Sequence, residues 1–553
     1  MSLNPASSLA PRREPTAAGV AGLTALELFR RRVAAGPARP LIHARGVTLT
    51  AADVDGLSRR VACALEQRGV EPGDRVGLLL QNDPQFPIAQ LAAWRIGAIS
   101  VPLNPMLRTR ELEAQLGDSG CKVLICLDEL AEAAIPAALA VGVEHIAVTS
   151  ANEFAGVRPV RVASPAERFE DWLDTSAGDS RPVACSPDDL AVITFTSGTT
   201  GRAKGACLSH ANIVWAAHVF RDWADLDADT VILGAAPLFH VTGQVAYLAL
   251  GDLLAAPLIL DHRFEPRSQL AAARRHDATF LVAAVTAFQA LLAVSDRAPA
   301  SFTRLVSGAQ AVPPALIAEV EAWSGCYLQN IYGMTETTSP CHAVPPGMRA
   351  PIDPASGALS VGVPVTATES IVADQDTGAP LPAGQRGEIL VRGPQVVSGY
   401  WRRPDADAEA FRDGWLRTGD LGVVDEDGWF YVVDRIKDII NASGYKVAPR
   451  EVEEAIQSHP AVRAAAVVGV SDQYRGETVK AFVQLREGFS LDPDEIVEHC
   501  QPLLAAYKRP RIVEFVDELP MTASGKVMRR ELRAEKAPEP APPAPSSSPP
   551  QND

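Results

Sequence analysis

The chain has 553 residues, of which 47% are hydrophobic and 21% are charged, and its formal net charge at pH 7 is −16. This length exceeds what one hydrophobic core usually supports, so we expect at least two domains in a globular protein rather than a disordered or fibrous one. The acidic balance disfavours nucleic acid or an anionic membrane as the main partner, because both are negatively charged.

Cysteine usage and apolar runs predict a cytoplasmic protein without integral membrane association. The eight cysteines are scattered and form no Cys-x-x-Cys pair, so we expect reduced thiols. The N-terminus lacks the apolar segment of an export signal. The longest apolar stretch, residues 245–260, is interrupted by Gly251, Asp252 and Pro257, which indicates buried core rather than a membrane span.

The first part of the chain alternates helical and extended patterns. Helices are predicted at residues 25–33, 54–68 and 84–96, and strands at 41–43, 75–80, 98–101 and 122–127. The same rhythm continues with strands at 230–238, 258–260, 279–285 and 303–307 and helices at 268–275 and 313–323. A β-α-β rhythm of this kind predicts parallel sheets with flanking helices.

The pattern changes near residue 361 to short strands separated by Gly and Asp turns, with Asp427-Gly428 as a hairpin signal. Beyond it come a helix at 450–458, strands at 462–470 and 478–485, and a helix at 493–500. We therefore predict α/β plus α+β architecture. Its parts are a flexible tail at 1–18, a large domain of mixed and parallel sheets at 19–434 with a small β-barrel subdomain at about 361–434, a small mobile α+β domain at 435–536, and a disordered Pro/Ser-rich tail at 537–553.

A loop rich in glycines and hydroxyls follows the apolar run 190–195. Its residues are Thr196, Ser197, Gly198, Thr199, Thr200, Gly201, Arg202, Ala203, Lys204 and Gly205. Glycines let the backbone approach an anion, and successive N–H groups and hydroxyls then bind phosphate oxygens. The order is not that of a Walker A loop, because no Gly-Lys-Ser/Thr follows at the required spacing. Taken alone, such a loop is also typical of an ordinary polar turn.

Further motifs follow in chain order. They are residues 237–243 around His240, 306–310 (Val-Ser-Gly-Ala-Gln), 330–338 around Tyr332, 415–420 ending in Asp420, 434–447 with Arg435 and Lys437, and 520–527 with Lys526. In the 330–338 motif, the flat ring of Tyr332 suits adenine stacking, and the carboxylate of Glu336 is a hard oxygen ligand for Mg²⁺. Each motif alone also fits a structural turn; their order along one chain does not arise by chance.

Together these motifs resemble those of the adenylate-forming superfamily, which comprises acyl-CoA synthetases, luciferases and peptide-synthetase adenylation domains. The acyl-CoA synthetase branch is favoured because residues 239–243 contain no Asp that would hold a substrate ammonium, and because a full small domain is present without a carrier domain. The resemblance implies a ligase that forms an acyl-adenylate from ATP with release of pyrophosphate and then transfers the acyl group to coenzyme A. It implies ATP, Mg²⁺ and coenzyme A, with a medium- or long-chain fatty acid or an aryl carboxylic acid as substrate.

The resemblance also implies residue roles. Catalytic roles fall on Thr199, His240, Glu336 and Lys526, with Thr199 and Glu336 as Mg²⁺ ligands and Lys437 as the hinge between domains. ATP binding falls on Thr196, Ser197, Gly198, Thr199, Thr200, Gly201, Lys204, Gly308, Ala309, Gln310, Tyr332, Gly333, Thr335, Asp420 and Arg435. Coenzyme A binding falls on Ser443, Gly444 and Tyr445, and the acyl pocket on His240, Val241, Gly243, Gly308, Gly333 and Met334. We expect the small residues Gly243, Gly308, Ala309 and Gly333 to leave space for a medium or long chain or an aryl ring.

Two other functions stay open at this point. One is an adenylating ligase that delivers the acyl group to a carrier protein, and the other is a non-catalytic nucleotide- or acyl-adenylate-binding protein, against which intact Lys526 and Glu336 argue. A Rossmann dehydrogenase is disfavoured because no Gly-x-Gly-x-x-Gly follows an early strand. The sequence does not identify the carboxylic acid or the general base for the thiol. It also leaves the oligomeric state open, with a homodimer as one option.

Overall fold

The computed structural model describes residues 22–152, 154, 162, 164–174, 183–196, 203–442, 445–472, 476–504, 506–522 and 526–534. The predicted tails, residues 197–202 of the phosphate loop, and Ser443 and Gly444 lie outside these residues. The chain divides into two units, one formed by residues 1–433 with 523–526 and the other by residues 434–522 with 527–553. The sequence analysis places the main boundary one residue later, at 434/435.

The strands of the first unit follow one another along most of its length. In chain order they are β1 (Pro40–Ala44), β2 (Val47–Thr50), β3 (Arg75–Leu79), β4 (Ile99–Pro102), β5 (Cys121–Leu127), β6 (His145–Thr149), β7 (Glu167–Arg168), β8 (Leu190–Thr196), β9 (Lys204–Ser209), β10 (Ile232–Gly234), β11 (Leu258–Leu260), β12 (Phe280–Ala283), β13 (Arg304–Ser307), β14 (Leu328–Met334), β15 (Ser339–Ala343), β16 (Val363–Pro364), β17 (Glu369–Ala373), β18 (Gly387–Arg392), β19 (Phe411–Arg412), β20 (Trp415–Val424) and β21 (Phe430–Arg435).

Helices connect these strands. They are α1 (Ala25–Ala35), α2 (Ala51–Gln67), α3 (Gln85–Arg95), α4 (Thr109–Ser119), α5 (Ala131–Ala140), α6 (Phe169–Leu173), α7 (His210–Trp223), α8 (Val241–Gly243), α9 (Leu250–Leu254), α10 (Pro266–Arg275), α11 (Val285–Val294), α12 (Pro314–Ser324) and α13 (Pro404–Ala410). Helix α2 begins at a pair of capping residues. The Thr50 hydroxyl accepts from the Asp53 amide, and the Asp53 carboxylate accepts from the Thr50 amide. This reciprocal capping satisfies amides that the first helical turn leaves without partners.

Two large sheets carry the predicted β-α-β rhythm. The seven-stranded sheet has the order β7-β6-β5-β3-β4-β8-β9, and the nine-stranded sheet has the order β16-β15-β14-β13-β12-β10-β11-β1-β2. Pairs along both sheets are parallel, except for β8 with β9 in the first sheet and for β1 with β2, β14 with β15 and β15 with β16 in the second. The predicted mixed and parallel sheets flanked by helices are therefore confirmed.

The apolar run 245–260 is core, as predicted. It forms a π-helical turn (Gln244–Ala249), α9 and β11, and Val245, Tyr247 and Leu250 are fully buried. No helix among the described residues is both long and apolar enough to cross a bilayer. All eight cysteines lie in the described part of the chain and are free thiols.

The β-rich part of the first unit is a five-stranded sheet in the order β17-β18-β20-β19, with β21 paired to β20. The turn between β20 and β21 contains the predicted Asp427-Gly428 pair, and Gly428 has a φ of 86°. Only glycine adopts this left-handed backbone readily, which explains the hairpin signal.

The second unit has the predicted α+β composition. Its strands are β22 (Ile440–Ala442), β23 (Tyr445–Val447), β24 (Val462–Asp472), β25 (Gly476–Leu485) and β26 (Ile512–Phe515), and its helices are α14 (Pro449–Gln457), α15 (Pro493–Cys500) and α16 (Arg529–Ala534). The sheet order is β23-β22-β25-β24, and β26 pairs with β25 in parallel. Val452, Ile456, Val467, Val483 and Ile496 belong to one buried cluster between this sheet and its helices.

Candidate active site

Three of the predicted motifs meet at one edge of the nine-stranded sheet. Strands β10, β12, β13 and β14 are neighbours and run parallel, so their carboxyl ends lie at the same edge. His240 follows β10, Gly308 follows β13, and Tyr332 lies near the end of β14. Ligands in open α/β sheets bind outside the carboxyl ends of the strands, so this edge is the candidate active site.

The phosphate loop is held together at its two ends. Thr196 at the end of β8 pairs with Lys204 at the start of β9, and the hydroxyl of Thr196 donates to the carbonyl of Lys204 at 3.3 Å. The antiparallel pair therefore brings the two described ends of the predicted phosphate loop together. Ser197, Gly198, Thr199, Thr200 and Gly201 lie outside the described residues.

Tyr332 and Asp420 come from motifs far apart in the sequence. The Tyr332 hydroxyl donates to Oδ2 of Asp420 at 2.5 Å, and Asp420 is only 2% exposed. The ring of Tyr332 also lies 5.6 Å from the ring of His342, which in turn lies 4.6 Å from the ring of Phe430. Burial lowers the pKa of His342 to about 3, so its ring is a neutral packing partner.

Glu336 has a partner that the sequence analysis missed. The hydroxyl of Tyr400 donates to Oε1 of Glu336 at 2.7 Å, and both residues are buried. Burial and the neighbouring Glu336 carboxylate raise the pKa of Tyr400, so the hydroxyl keeps its proton. A glycine-tyrosine pair, Gly399-Tyr400, is the only local signal, and it is too common to identify the contact.

The backbone around Glu336 is unusual. Glu336 lies in a 3₁₀ turn (Thr335–Thr337), followed by Thr338 with a φ of 47° and Ser339 with a φ of 84°. A Cβ on Gly333 would lie 2.1 Å from the carbonyl oxygen of Ser339. Left-handed non-glycine residues of this kind cluster at functional sites, where the surrounding structure holds them.

The strand before His240 is shorter than predicted: β10 ends at Gly234, whereas the predicted strand 230–238 continues for four more residues. The chain between β10 and His240 therefore lies outside the sheet. Its polar backbone groups bond to buried side chains instead of to a neighbouring strand. The Asn82 amide donates to the carbonyls of Gly234 and Ala236 and accepts from the Leu238 amide. The hydroxyl of Tyr247 accepts from the Ala236 amide at 2.9 Å.

Gln244 also holds this segment, because its side-chain amide donates to the carbonyl of Leu238. Asn82, Gln244 and Tyr247 are thus positioning residues that the sequence analysis missed. A π-helical turn such as 244–249 is rare and occurs often at functional sites, but it has no sequence signature.

His240 itself is partly buried and lies 5.0 Å from the ring of Phe239. Burial lowers its pKa to about 4, so the imidazole is neutral near pH 7. A neutral ring offers a substrate carboxylate a wall and one hydrogen-bond donor, rather than a cation.

The glycines predicted for the acyl pocket do not open space in front of their α-carbons, and this expectation is corrected. A Cβ on Gly243 would lie 2.3 Å from the carbonyl oxygen of Pro237, and one on Gly308 would lie 2.9 Å from that of Ile331. These glycines, like Gly333, permit backbone segments to pack closely. The adjacent Ala309 has a φ of 69°, Gln310 and Met334 are partly exposed, and Val241 is buried.

The division between the units falls within β21, so its last residue, Arg435, belongs to the second unit, and Lys437 follows in a 3₁₀ turn (Ile436–Asp438). This turn is anchored at Asp438, which accepts from Arg529 at 3.2 Å and from Arg533 at 3.1 Å. Tyr445 begins β23. Lys526 is exposed, in a segment that groups with the first unit.

The donor set suits a magnesium ion that ATP brings with it. No group of three or more His, Cys, Asp or Glu side chains in the described ranges could hold a metal by itself. Mg²⁺ is usually bound through one or two carboxylates together with substrate phosphates and waters. The carboxylate of Glu336, in a turn that contacts β9 at one end of the predicted phosphate loop, fits this pattern.

Comparison with known proteins gives consistent results. Residues 29–401 match the model of a family described as AMP-binding enzyme, and residues 451–526 match the model of its C-terminal domain. A long-chain-fatty-acid–CoA ligase of Bacillus subtilis (strain 168) is 35% identical over 90% of this chain and 92% of its own length. A feruloyl-CoA synthase of Amycolatopsis sp. is 37% identical over 91% and 97%.

A solved structure gives the same picture. The anthranilate CoA ligase AuaEII in complex with anthranoyl-AMP superposes with a TM-score of 0.83 at 28% identity, over 93% of this chain and 97% of that chain.

Proposed function

Since this chain belongs to the AMP-binding enzyme family and is an AMP-forming acyl-CoA synthetase, we propose that its substrate is a carboxylic acid with an apolar tail, aliphatic or aryl. In the first step, a carboxylate oxygen attacks the α-phosphorus of ATP and pyrophosphate leaves. In the second, the thiol of coenzyme A attacks the acyl carbon, and AMP leaves. Because a free carboxylate has no good leaving group, the adenylate is needed before a thioester can form.

The observation that supports formation of the acyl-adenylate here is the gathering of the predicted motifs at one sheet edge. His240, Gly308 and Tyr332 follow or end neighbouring parallel strands, and Asp420 contacts Tyr332. We assign the adenine to the face of Tyr332 and to the turn Gly308-Ala309-Gln310. We assign the ribose hydroxyls to Asp420 and Arg435, because a carboxylate accepts hydrogen bonds from two neighbouring hydroxyls.

Charge on the phosphates is the main obstacle to the first step, and catalysis of such a transfer is chiefly positioning and neutralisation. Thr196 to Gly201, Lys204 and Thr335 supply N–H groups, hydroxyls and a cation. Glu336 and Thr199 would hold Mg²⁺, which neutralises phosphate charge when bound. Lys526 supplies a further cation, and Ser443, Gly444 and Tyr445 contact coenzyme A in the second step after a rotation about Lys437.

The apolar tail is favoured by the chemistry around His240. The imidazole is neutral near pH 7, since burial lowers its pKa to about 4. Its neighbours Phe239 and Val241 are buried and apolar. A second charge on the substrate's tail would lose solvation beside these apolar side chains.

A panel of acids tests the proposal. Purified protein with Mg·ATP is given long-chain fatty, ferulic-type aryl, amino and dicarboxylic acids, and pyrophosphate and AMP are measured with and without coenzyme A. We expect AMP release with fatty or aryl acids and acyl-CoA only when coenzyme A is present. Acyl transfer to a carrier protein in place of coenzyme A, or no AMP with any acid, would contradict it.

A further inference from the structure

Tyr400 contacts two of the motifs that the proposed reaction uses. Its hydroxyl donates to Oε1 of Glu336 at 2.7 Å, and the Nζ of Lys204 lies over its ring, 5.1 Å from the centroid. Tyr400 is 8% exposed and Glu336 is 6% exposed. A hydrogen bond between two buried groups is shielded from competing water, so it restricts the carboxylate more strongly than a surface contact would.

The backbone on both sides of Tyr400 is fixed to β9, the strand that leaves the phosphate loop. The Cys207 amide donates to the carbonyl of Gly399 at 3.0 Å, and the Trp401 amide donates to the carbonyl of Gly205 at 2.7 Å. These two bonds hold the backbone of Tyr400 beside β9.

Two further contacts fix the same segment. The Val397 amide donates to the backbone carbonyl of Glu336 at 2.9 Å. The Tyr400 amide donates to Oδ1 of Asp407 in α13 at 2.6 Å. The segment 397–401 thus bonds both to the backbone and to the side chain of the Glu336 turn.

We propose that Tyr400 is a positioning residue that orients the Glu336 carboxylate toward the magnesium ion of Mg·ATP and connects that carboxylate to β9 and Lys204. The inference rests on the proposed function, because it takes Glu336 as the Mg²⁺ ligand. Partners that hydrogen-bond to a metal ligand fix its orientation, and their loss typically reduces metal affinity or activity about 10- to 100-fold. The ring of Tyr400 makes a separate contribution, because the Lys204 ammonium above it is attracted to the aromatic face.

Binding of ATP tests the hydroxyl without relying on turnover. Dissociation constants for ATP are measured by calorimetry in EDTA and in saturating Mg²⁺ for the wild type and for Tyr400→Phe. In EDTA, we expect similar dissociation constants for ATP in the two proteins. The factor by which Mg²⁺ lowers this constant, called the Mg²⁺ effect below, should be about 10- to 100-fold smaller in Tyr400→Phe than in the wild type. Tyr431→Phe is the matched control, because the Tyr431 hydroxyl also donates to a carboxylate, Asp425, at 2.7 Å.

A double-mutant cycle separates the two proposals. In a Glu336→Gln background, Tyr400→Phe should have no further effect on the Mg²⁺ dependence. If Glu336→Gln loses the Mg²⁺ effect on ATP affinity while Tyr400→Phe keeps it, the positioning role of Tyr400 is overturned. If Glu336→Gln keeps the full Mg²⁺ effect, the proposed metal role of Glu336 fails, and the positioning role fails with it.

Two more variants complete the test. Tyr400→Leu removes the ring as well, so we expect it to weaken ATP binding in EDTA as well, whereas Tyr400→Phe does not. If Tyr400→Phe lacks a cooperative unfolding transition, Asp407→Ala replaces it, since it removes the acceptor of the Tyr400 amide and retains the phenol. A reduced Mg²⁺ effect in Asp407→Ala supports the role, and an unchanged one overturns it.

Discussion

The hydroxyl of Tyr332 donates to Oδ2 of Asp420 at 2.5 Å, although the two residues are 88 positions apart. Tyr332 belongs to the nine-stranded sheet and Asp420 to the five-stranded sheet. The bond therefore joins two sheets at the candidate nucleotide site, and a substitution at either residue tests whether this junction binds ATP.

Tyr332→Phe keeps the ring and removes the donor to Asp420. A hydrogen bond to a charged group contributes about 1.5–3 kcal/mol, so we expect the KM for ATP to rise at least about tenfold while kcat changes less. Initial rates over a range of ATP concentrations measure this. Tyr431→Phe again serves as control, and equal KM values in the two variants would show that the Tyr332–Asp420 bond does not support ATP binding.

Lys526→Ala should slow the first step and spare the second. Removal of one group that stabilises transition-state charge typically costs about 10²–10³ in rate, so pyrophosphate release should fall by that factor. Thioester formation from supplied acyl-adenylate should stay near the wild-type rate. Lys480→Ala, which removes a lysine paired with Glu514 at 2.7 Å, controls for loss of a cation; equal losses in both half-reactions of Lys526→Ala would refute the assignment.

Lys437→Pro should have the opposite effect. Proline fixes φ and removes the amide donor, so a rotation that passes through residue 437 is hindered. We expect adenylation to persist and thioester formation to slow, as measured by separate half-reaction assays. Lys437→Ala keeps the backbone free and should retain both steps; if the proline variant also turns over normally, residue 437 is not the hinge.

Gly333→Ala tests the corrected view of the pocket glycines. The new Cβ would lie 2.1 Å from the carbonyl oxygen of Ser339, so the turn that carries Glu336 must shift. We expect a lower melting temperature and loss of AMP formation. Gly56→Ala in α2 is the control, because nothing lies within 4 Å of its Cβ and alanine favours a helix by about 0.5–1 kcal/mol. Normal activity in Gly333→Ala would show that the site tolerates the shift.

Buried histidines predict a loss of stability on acidification. Burial lowers the pKa of His342 from 6.5 to about 3, so between these values the unfolded chain binds a proton that the folded protein does not. This contribution to the free energy of unfolding is complete above pH 6.5 and is lost as the pH falls toward 3.

Between pH 7 and pH 5 the loss should be about 2 kcal/mol for this residue, measured by urea denaturation. His342→Leu should reduce the pH dependence, because the buried Nε2 of His342 has no hydrogen-bond partner and an apolar group suits its place. An unchanged pH dependence in this variant would exclude His342 as the cause.

Much of the fold is determined by local sequence. Apolar runs place β3, β5 and β13 correctly, and the Thr50–Asp53 pair marks the start of α2. The order of the predicted nucleotide-binding motifs is also local information, since each motif is a short stretch of consecutive residues. These features need only the period of the apolar pattern and the conformational preferences of single residues.

The tertiary structure alone determined which groups meet. Tyr400 contacts Glu336 across 64 positions, and Asn82 contacts Leu238 across 156; both pairs depend on how the sheets are ordered, which the pattern within one strand does not encode. The surroundings of Gly243 and Gly308 also depend on the tertiary structure. A sequence shows that a side chain is missing, but only the packed structure shows that backbone, rather than substrate, fills the space.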